Sequence, residues 1–385
     1  MAIDKITTAS ITDANITTAK LAYQAIPFRN IIINGDMSLA QRATSVSGVG
    51  NGDSGYHTCD RWKFFELGAG TGEFTQSQST DVPTGQGFAT SLKMDCTTAD
   101  ASLAAADVMW IQQIVEAQNL QYIKKGTSSA ESLTLSFWVY ATKTGTNICE
   151  LYDENNRQVS KSYTISSSNT WEKKTITFPA DTSGALGNDN GIGMYVNFFL
   201  LAGSNYTSGT LSETWTSSTN ANRAVGQVNH SDNTSNNFYI TGVQLEAGTS
   251  ASDFEFLPVD VNFERCKRYF TIPLRSRGSD TVIANGTMYN ATDFYGIFEV
   301  GKGMRTSPSF SFATGTNFYG IVGNAASDLF TGSSTMTFQN VTNDGTCKVR
   351  IEVTSVSGKS QGQAAWVRFE AASSSSDFIS ADAEL

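Results

Sequence analysis

Histidine is scarce in this chain, with two in 385 residues, and that scarcity removes much catalytic chemistry. Gly52-Asp53-Ser54-Gly55 reads like the nucleophile segment of a trypsin-like protease. That arrangement needs a histidine upstream of the serine, and His57 and His230 both lie downstream. There is no HExxH pair. The five cysteines (Cys59, Cys96, Cys149, Cys266 and Cys347) form no CxxC, so no zinc site is expected. Their wide spacing and odd number suggest reduced, buried thiols in a protein assembled in a cytoplasm. Basic charge is also short: 26 Lys and Arg against 36 Asp and Glu leave a net charge of −10, which disfavours a nucleic-acid partner. No apolar run approaches the roughly 18 residues of a membrane span, so no membrane insertion is expected. The opening MAIDKITTAS lacks the apolar centre of a signal peptide. Gly68 to Gly72, GAGTG, precedes a segment that does not look helical. A phosphate-cradling loop needs a helix behind it, so this is a connection between strands. Gly187 to Gly191, GNDNG, lacks the acidic ladder of a calcium loop. Neither cofactor nor metal is expected.

The polarity comes instead from Ser, Thr, Asn and Gly, with charged residues at 16%; this composition suits many short strands joined by tight turns. The length suffices for two or three domains with their own cores. The first segment repeats every five residues: Ile6, Ile11, Ile16, Leu21 and Ile26 share one slot, with Ala9, Ala14 and Ala19 three places on. A helix rotates positions five apart off any one face, and a strand flips an odd period from side to side. One chain in regular structure therefore cannot gather this set. Identical chains wound about a common axis can, which predicts a trimerising, intertwined anchor over residues 1–29. A disordered tail is the alternative.

From Asn30 the texture changes. Glu131 to Ala141 alternates Leu133, Leu135, Phe137 and Val139 with polar neighbours, as a half-buried strand does. One of Phe137 and Trp138 must point outward. ICELYDENNRQVSKSYTI reads as a hairpin turning at Asp153 to Asn156, and TWEKKTITF and GMYVNFFLLAG as further strands. Glu116 to Lys125 is the main helical candidate, with Leu120 and Ile123 on one face. Trp62, Trp110 and Trp171 are expected in the core. Further on, CKVRIEVTSV alternates with Val349, Ile351 and Val353 inward. TVIANGTMY carries an Asn-Gly turn signal, and Gly315 to Gly323 reads as a loop tip.

The stretch Ile240 to Phe270, ITGVQLEAGTSASDFEFLPVDVNFERCKRYF, resembles the hallmark segment of a family of bacteriophage tail fibre and virion fibre proteins with a carbohydrate-binding-module-like domain. INGD, DRW (Asp60, Arg61, Trp62), IQQIVEAQNLQYIKKGT, LSFWVYATKTG and TWEKKTITFP also match it, in the expected order, so the resemblance spans roughly residues 30 to 270. The closing ADAEL is similar to the ends of marine-phage tail fibres. The resemblance implies a jelly-roll β-sandwich over 30–265. Together with the pentad-repeat anchor and a smaller C-terminal β-sandwich read from the strand patterns over 266–385 and expected to contact the receptor, the expectation is an all-β homotrimer. The resemblance further implies that Ile240 onward is the last jelly-roll strand, followed by an FE edge and a CKRYF connector. In some such sandwiches a structural calcium sits near the NGD turn, here Asp36.

The function expected is that of a structural virion protein, a tail fibre mediating non-enzymatic adhesion to host surface polysaccharide. Its expected partners are itself, other virion proteins through the N-terminal segment, and a host surface glycan. A capsid-attached fibre or decoration protein is the first alternative; the chain's shortness and the lack of a visible large tail-anchor domain favour either a distal fibre segment or this capsid alternative. A glycan-degrading enzyme is the second. It would need two carboxylates at a fixed separation, and Glu150, Asp153, Glu154 and Asp189 are not paired by anything in the sequence. Depolymerising tailspikes also usually carry a periodic parallel β-helix, and no such repeat is visible. Sugar sites combine aromatic platforms with Asn, Asp and Ser. Tyr289, Tyr295, Tyr319 and Trp366 are the candidate binding residues, with Asn290, Asn317 and Phe318 beside them.

Overall fold

The computed structural model describes residues 28–276, 281–301, 303–312, 319–323, 326–330, 336–339, 348–370 and 378–385. The pentad positions Ile6, Ile11, Ile16, Leu21 and Ile26 lie outside the described residues, as do Asn317, Phe318 and Cys347. The chain divides into two compact units between Pro258 and Val259. A boundary at 265/266 would fall inside a helix, Val259–Lys267, that belongs to the second unit.

The first unit contains strands β1 (Ser45–Gly50), β2 (Gly55–Tyr56), β3 (Lys63–Leu67), β4 (Glu73–Ser79), β5 (Ser91–Thr98), β6 (Val108–Glu116), β7 (Leu133–Ala141), β8 (Gly145–Asp153), β9 (Arg157–Ile165), β10 (Glu172–Phe178), β11 (Ile192–Ala202), β12 (Thr216–Ser217) and β13 (Asn237–Ala247). They form a six-stranded sheet, β1-β4-β5-β13-β7-β10, and a seven-stranded sheet, β12-β9-β8-β11-β6-β3-β2, with antiparallel pairing throughout. The sheets face one another across a shared core. Phe137 of the first packs edge-on against Phe198 and Tyr163 of the second, each at 5.1 Å, and Trp62 lies beside Phe198. This is a β-sandwich, and the alternation of β7 produces it: Leu135, Phe137 and Val139 are fully buried, while Trp138 and Tyr140 turn to the outer face.

INGD and DRW, far apart in sequence, interlock. Trp62 Nε1 donates to the Asn34 carbonyl at 3.0 Å, and Asn34 Nδ2 donates to the carbonyls of Leu39 and Asp60, each at 2.9 Å. Met37 N closes the NGD turn on Asn34 O. Gly35 is required there, because a Cβ would sit 2.1 Å from the Val243 carbonyl. The buried Asp60 carboxylate accepts from Gln41 N and Nε2; burial pushes its pKa up despite those bonds. These motifs thus tie the N-terminal edge to β13 and the core.

The second unit holds a three-stranded sheet, β14 (Phe270–Arg275), β23 (Phe378–Asp382) and β17 (Ser309–Phe312), in that order. Its seven-stranded sheet runs β19 (Ala326–Phe330), β18 (Tyr319–Gly323), β22 (Ala364–Phe369), β15 (Val282–Met288), β16 (Phe294–Glu299), β21 (Lys348–Val353), β20 (Met336–Gln339). Phe310 of the small sheet stacks on Phe338 of the large one at 4.2 Å, with Phe298 and Tyr319 in the same core. Val349, Ile351 and Val353 point inward, as their alternation predicts.

Four expectations are corrected. The segment expected as a helix over Glu116 to Lys125 is a 3-10 helix, Ala117–Ile123, that buries Leu120 and Ile123 and ends at Lys124 in the left-handed region. The connector CKRYF begins inside the helix Val259–Lys267. Asn285-Gly286 is no turn but the middle of β15. Glycine is needed there because a Cβ would meet the Tyr295 carbonyl of β16 at 2.0 Å. Tyr319 to Gly323, expected as part of a loop tip, is the buried strand β18.

Candidate functional site

The alternation of β15, β16, β21 and β22 leaves one face of the large second-unit sheet to solvent. Trp366, Asn285, Ile297 and Arg350 lie side by side across it in register. Ile297 is 60% and Trp366 38% exposed. Tyr295, two residues from Ile297 on β16, shares that face. Tyr289 leaves the end of β15 through a tight loop: Asn290 Oδ1 accepts from the backbone N–H of Thr292 and Asp293, each at 2.7 Å, and Tyr289 N donates to Asp293 O. The loop lays the Tyr289 ring parallel to Tyr295, with centroids 4.6 Å apart and planes 10° apart. The Arg350 guanidinium lies 4.4 Å from the Tyr295 ring centroid and donates to Glu352 at 3.1 Å. Tyr289 itself is 59% exposed, so its ring is open to a ligand.

Three of the four candidate residues therefore reach one surface, and Tyr319 does not. Its ring is fully buried against Phe369 at 5.2 Å and Phe312 at 6.3 Å, so it can touch no ligand. Strand β18 passes through the interior, and the glycines that suggested a loop instead allow close packing. A Cβ on Gly320 would meet the Glu370 carboxylate at 2.2 Å.

The first unit treats its tryptophans unequally. Trp62 is core, as expected. Trp110 is buried, but on the outer side of the seven-stranded sheet, in a small cluster with Phe199 and Tyr206. Trp171 is not core: it sits half-buried on the outer face of the six-stranded sheet, beside Tyr140 and Tyr239. The local alternation does not reveal this, because Trp171 lies just before β10 begins at Glu172.

The acidic residues are held by structural partners. Glu150 is fully buried and receives Arg223 Nε at 2.9 Å, Arg223 Nη2 at 2.7 Å and Asn197 Nδ2 at 2.9 Å. Burial alone would lower the Arg223 pKa, but the Glu150 carboxylate outweighs it and raises the value. The same guanidinium lies over Trp110, Tyr152 and Phe199, pinning its loop onto the sheet. Asp153 and Asp181 both pair with the buried Lys125 ammonium. Asp189 turns back on the Gly191 N–H. Ser54 is not poised beside His57; its hydroxyl accepts from Glu66 N at 2.8 Å. Among the described residues no three His, Cys, Asp or Glu side chains gather as metal ligands, and Asp36 Oδ1 accepts from the Ser38 hydroxyl. Cys59, Cys96, Cys149 and Cys266 are buried, and desolvation pushes the Cys96 thiol up to about 11. Among the described residues no helix is long and apolar enough to cross a membrane.

No family model matches the chain, and no curated protein does. Among solved structures, the enzymatically active domain of tailspike protein 4 of bacteriophage CBA120 is similar at 14% identity and a TM-score of 0.32, covering 57% of this chain and 22% of that one. The chain thus spans about a fifth of that tailspike structure. A putative sugar-binding protein from Bacteroides thetaiotaomicron is similar at 11% identity, TM-score 0.29, covering 57% of this chain and 99% of that one. A family 11 carbohydrate-binding module of a cellulosomal cellulase from Clostridium thermocellum is similar at 10% identity, TM-score 0.26, covering 50% and 90%. Similarity at this level assigns neither family nor activity to the chain.

Proposed function

We propose that this chain is a structural virion fibre protein of a bacteriophage, a tail fibre whose second unit adheres to host surface polysaccharide without covalent chemistry. The observation that carries the adhesion reading is the Tyr289–Tyr295 platform: parallel rings at 4.6 Å, the outer one 59% exposed. A sugar ring presents C–H groups on one face, which pack on an aromatic plane, and hydroxyls at its rim, which need donors and acceptors. Asn285, Arg350 and Glu352 on the same sheet face supply both. One such contact is weak, so copies linked in a trimer and repeated on a virion would supply the avidity. The virion reading rests on the ordered motifs between residues 30 and 270, and the anchor and homotrimer on the pentad pattern of residues 1–29.

Immunogold electron microscopy of intact virions, with antibody against residues 266–385, tests the location. Gold at the tail supports the proposal. Gold over the head replaces the tail fibre with a capsid fibre or decoration protein, and unlabelled virions refute a virion role.

A further inference from the structure

We infer that the outer face of the first unit's six-stranded sheet carries a second glycan-binding strip, centred on Trp171, Tyr140 and Tyr239. The inference rests on the reading of the protein as a glycan binder but uses a different unit and different residues. The register places Lys93 of β5 opposite Tyr239 of β13, and Tyr239 opposite Tyr140 of β7. Trp171 follows at the edge of β10, its ring 5.7 Å from Tyr140 and 6.1 Å from Tyr239. Neighbouring strands are about 4.8 Å apart, so the row from Lys93 to Trp171 is about 14 Å long, which suits a short run of sugar units rather than one. Trp138, two residues before Tyr140 on β7, widens the strip on the same face.

The rings are held in place at their polar ends. Trp171 Nε1 donates to Asp81 Oδ1 at 3.0 Å, and the Tyr140 hydroxyl to Asn169 Oδ1 at 3.2 Å. The Lys93 ammonium stands 5.6 Å from the Tyr239 ring centroid. A core does not need this arrangement: Trp171 and Tyr140, each partly exposed and each fixed at its polar end by a side chain, stand beside the buried Tyr239 ring on the solvent side of a sheet whose other side already packs the sandwich. Fixed rings lose little freedom on binding. The rim of carboxylate, amide and ammonium matches sugar hydroxyls better than it matches an apolar protein surface. The outer face of the opposite sheet is not available in this way, because Arg223 and the loop carrying it close over Trp110 and Phe199.

Affinity electrophoresis of the full chain through gels holding a soluble β-glucan, a galactan, a mannan or an N-acetylglucosamine polymer tests this. The variants are Trp171→Ala, Trp171→Phe, Asp81→Ala, Tyr289→Ala and the Trp171→Ala/Tyr289→Ala double. For at least one polymer, Trp171→Ala should weaken the apparent affinity by about tenfold, a change on the scale of one aromatic contact. Trp171→Phe, which keeps an aromatic ring but loses the bond to Asp81, should fall between wild type and Trp171→Ala, and the double variant should be weaker than either single. Should Trp171→Ala unfold, Asp81→Ala, which releases the indole from an exposed residue, should weaken binding in the same sense. Wild-type retardation that Tyr289→Ala abolishes, and that both Trp171→Ala and Asp81→Ala leave intact, overturns the strip and spares the second-unit platform. A wild-type chain retarded by none of the polymers overturns both.

Discussion

Arg223 offers the sharpest quantitative test of the first unit. Its guanidinium holds a carboxylate that is fully buried, through two hydrogen bonds of 2.9 and 2.7 Å, and its own side chain is 11% exposed. In Arg223→Met the Glu150 charge would stay buried with Asn197 as its remaining side-chain donor. Breaking one side of a buried ion pair costs about 3–5 kcal/mol, whereas replacing both partners by apolar residues is often nearly neutral. The single variant should therefore lose about 3–5 kcal/mol, and Glu150→Met/Arg223→Met much less. For a unit of this size that loss is a fall of about 6–20 °C in Tm. Differential scanning calorimetry of the full chain reads it, since the two units can melt separately. A single variant that melts within about 2 °C of wild type would refute the argument that the pair seals this face. A double variant as unstable as the single would show that packing, not the stranded charge, is what Arg223 supplies.

Other outcomes follow from the same structure. His230 is fully buried, with Nε2 2.7 Å from Asn147 Oδ1, and burial followed by the nearby Lys143 ammonium lowers its pKa from 6.5 to about 3. Below pH 6.5 the unfolded chain takes up a proton that the folded chain refuses. Its contribution therefore erodes as pH falls from 6.5 towards 3, at up to about 1.4 kcal/mol per unit, and is constant above that window. Urea unfolding at several pH values should show a shallower loss for His230→Asn; equal slopes would contradict it. Gly286→Ala puts a Cβ 2.0 Å from a backbone carbonyl and should destabilise the second unit by about 1–3 kcal/mol, leaving the first unit's calorimetric transition in place. Deleting residues 1–29 should abolish virion attachment, and Ile16→Asp should act similarly by burying an unpaired charge; normal incorporation of both into virions would remove the anchor proposal.

Much of the fold was legible wherever a strand has one wet face. Leu133 to Val139 and Val349 to Val353 state their inward sides by alternation, and the turn after Asp153 falls where the polar run places it. The errors arise where a residue has two physical uses. Asn-Gly at 285–286 serves a hairpin turn in many sequences; here glycine admits a neighbouring strand. The glycines around Tyr319 suggested a surface loop and instead allow a buried strand. Half of the candidate platform could be inferred, because Tyr289 and Tyr295 flank a polar loop and sit close in sequence. The Arg350 contribution arrives from another strand through register alone. Glu150 and Arg223 lie 73 residues apart, and Trp171 and Asp81 lie 90 apart. No local pattern encodes such pairs.

Non-covalent adhesion through the Tyr289 platform is open to direct measurement. Surface plasmon resonance of the full chain over surface polysaccharide purified from the bacterial host tests it most directly, with a reducing-end assay on the same mixture. Reversible binding is expected, with an affinity lowered about tenfold or more in Tyr289→Ala, an unchanged Tm and no new reducing ends. Wild-type binding that Tyr289→Ala leaves untouched, or steady release of reducing ends, would contradict it.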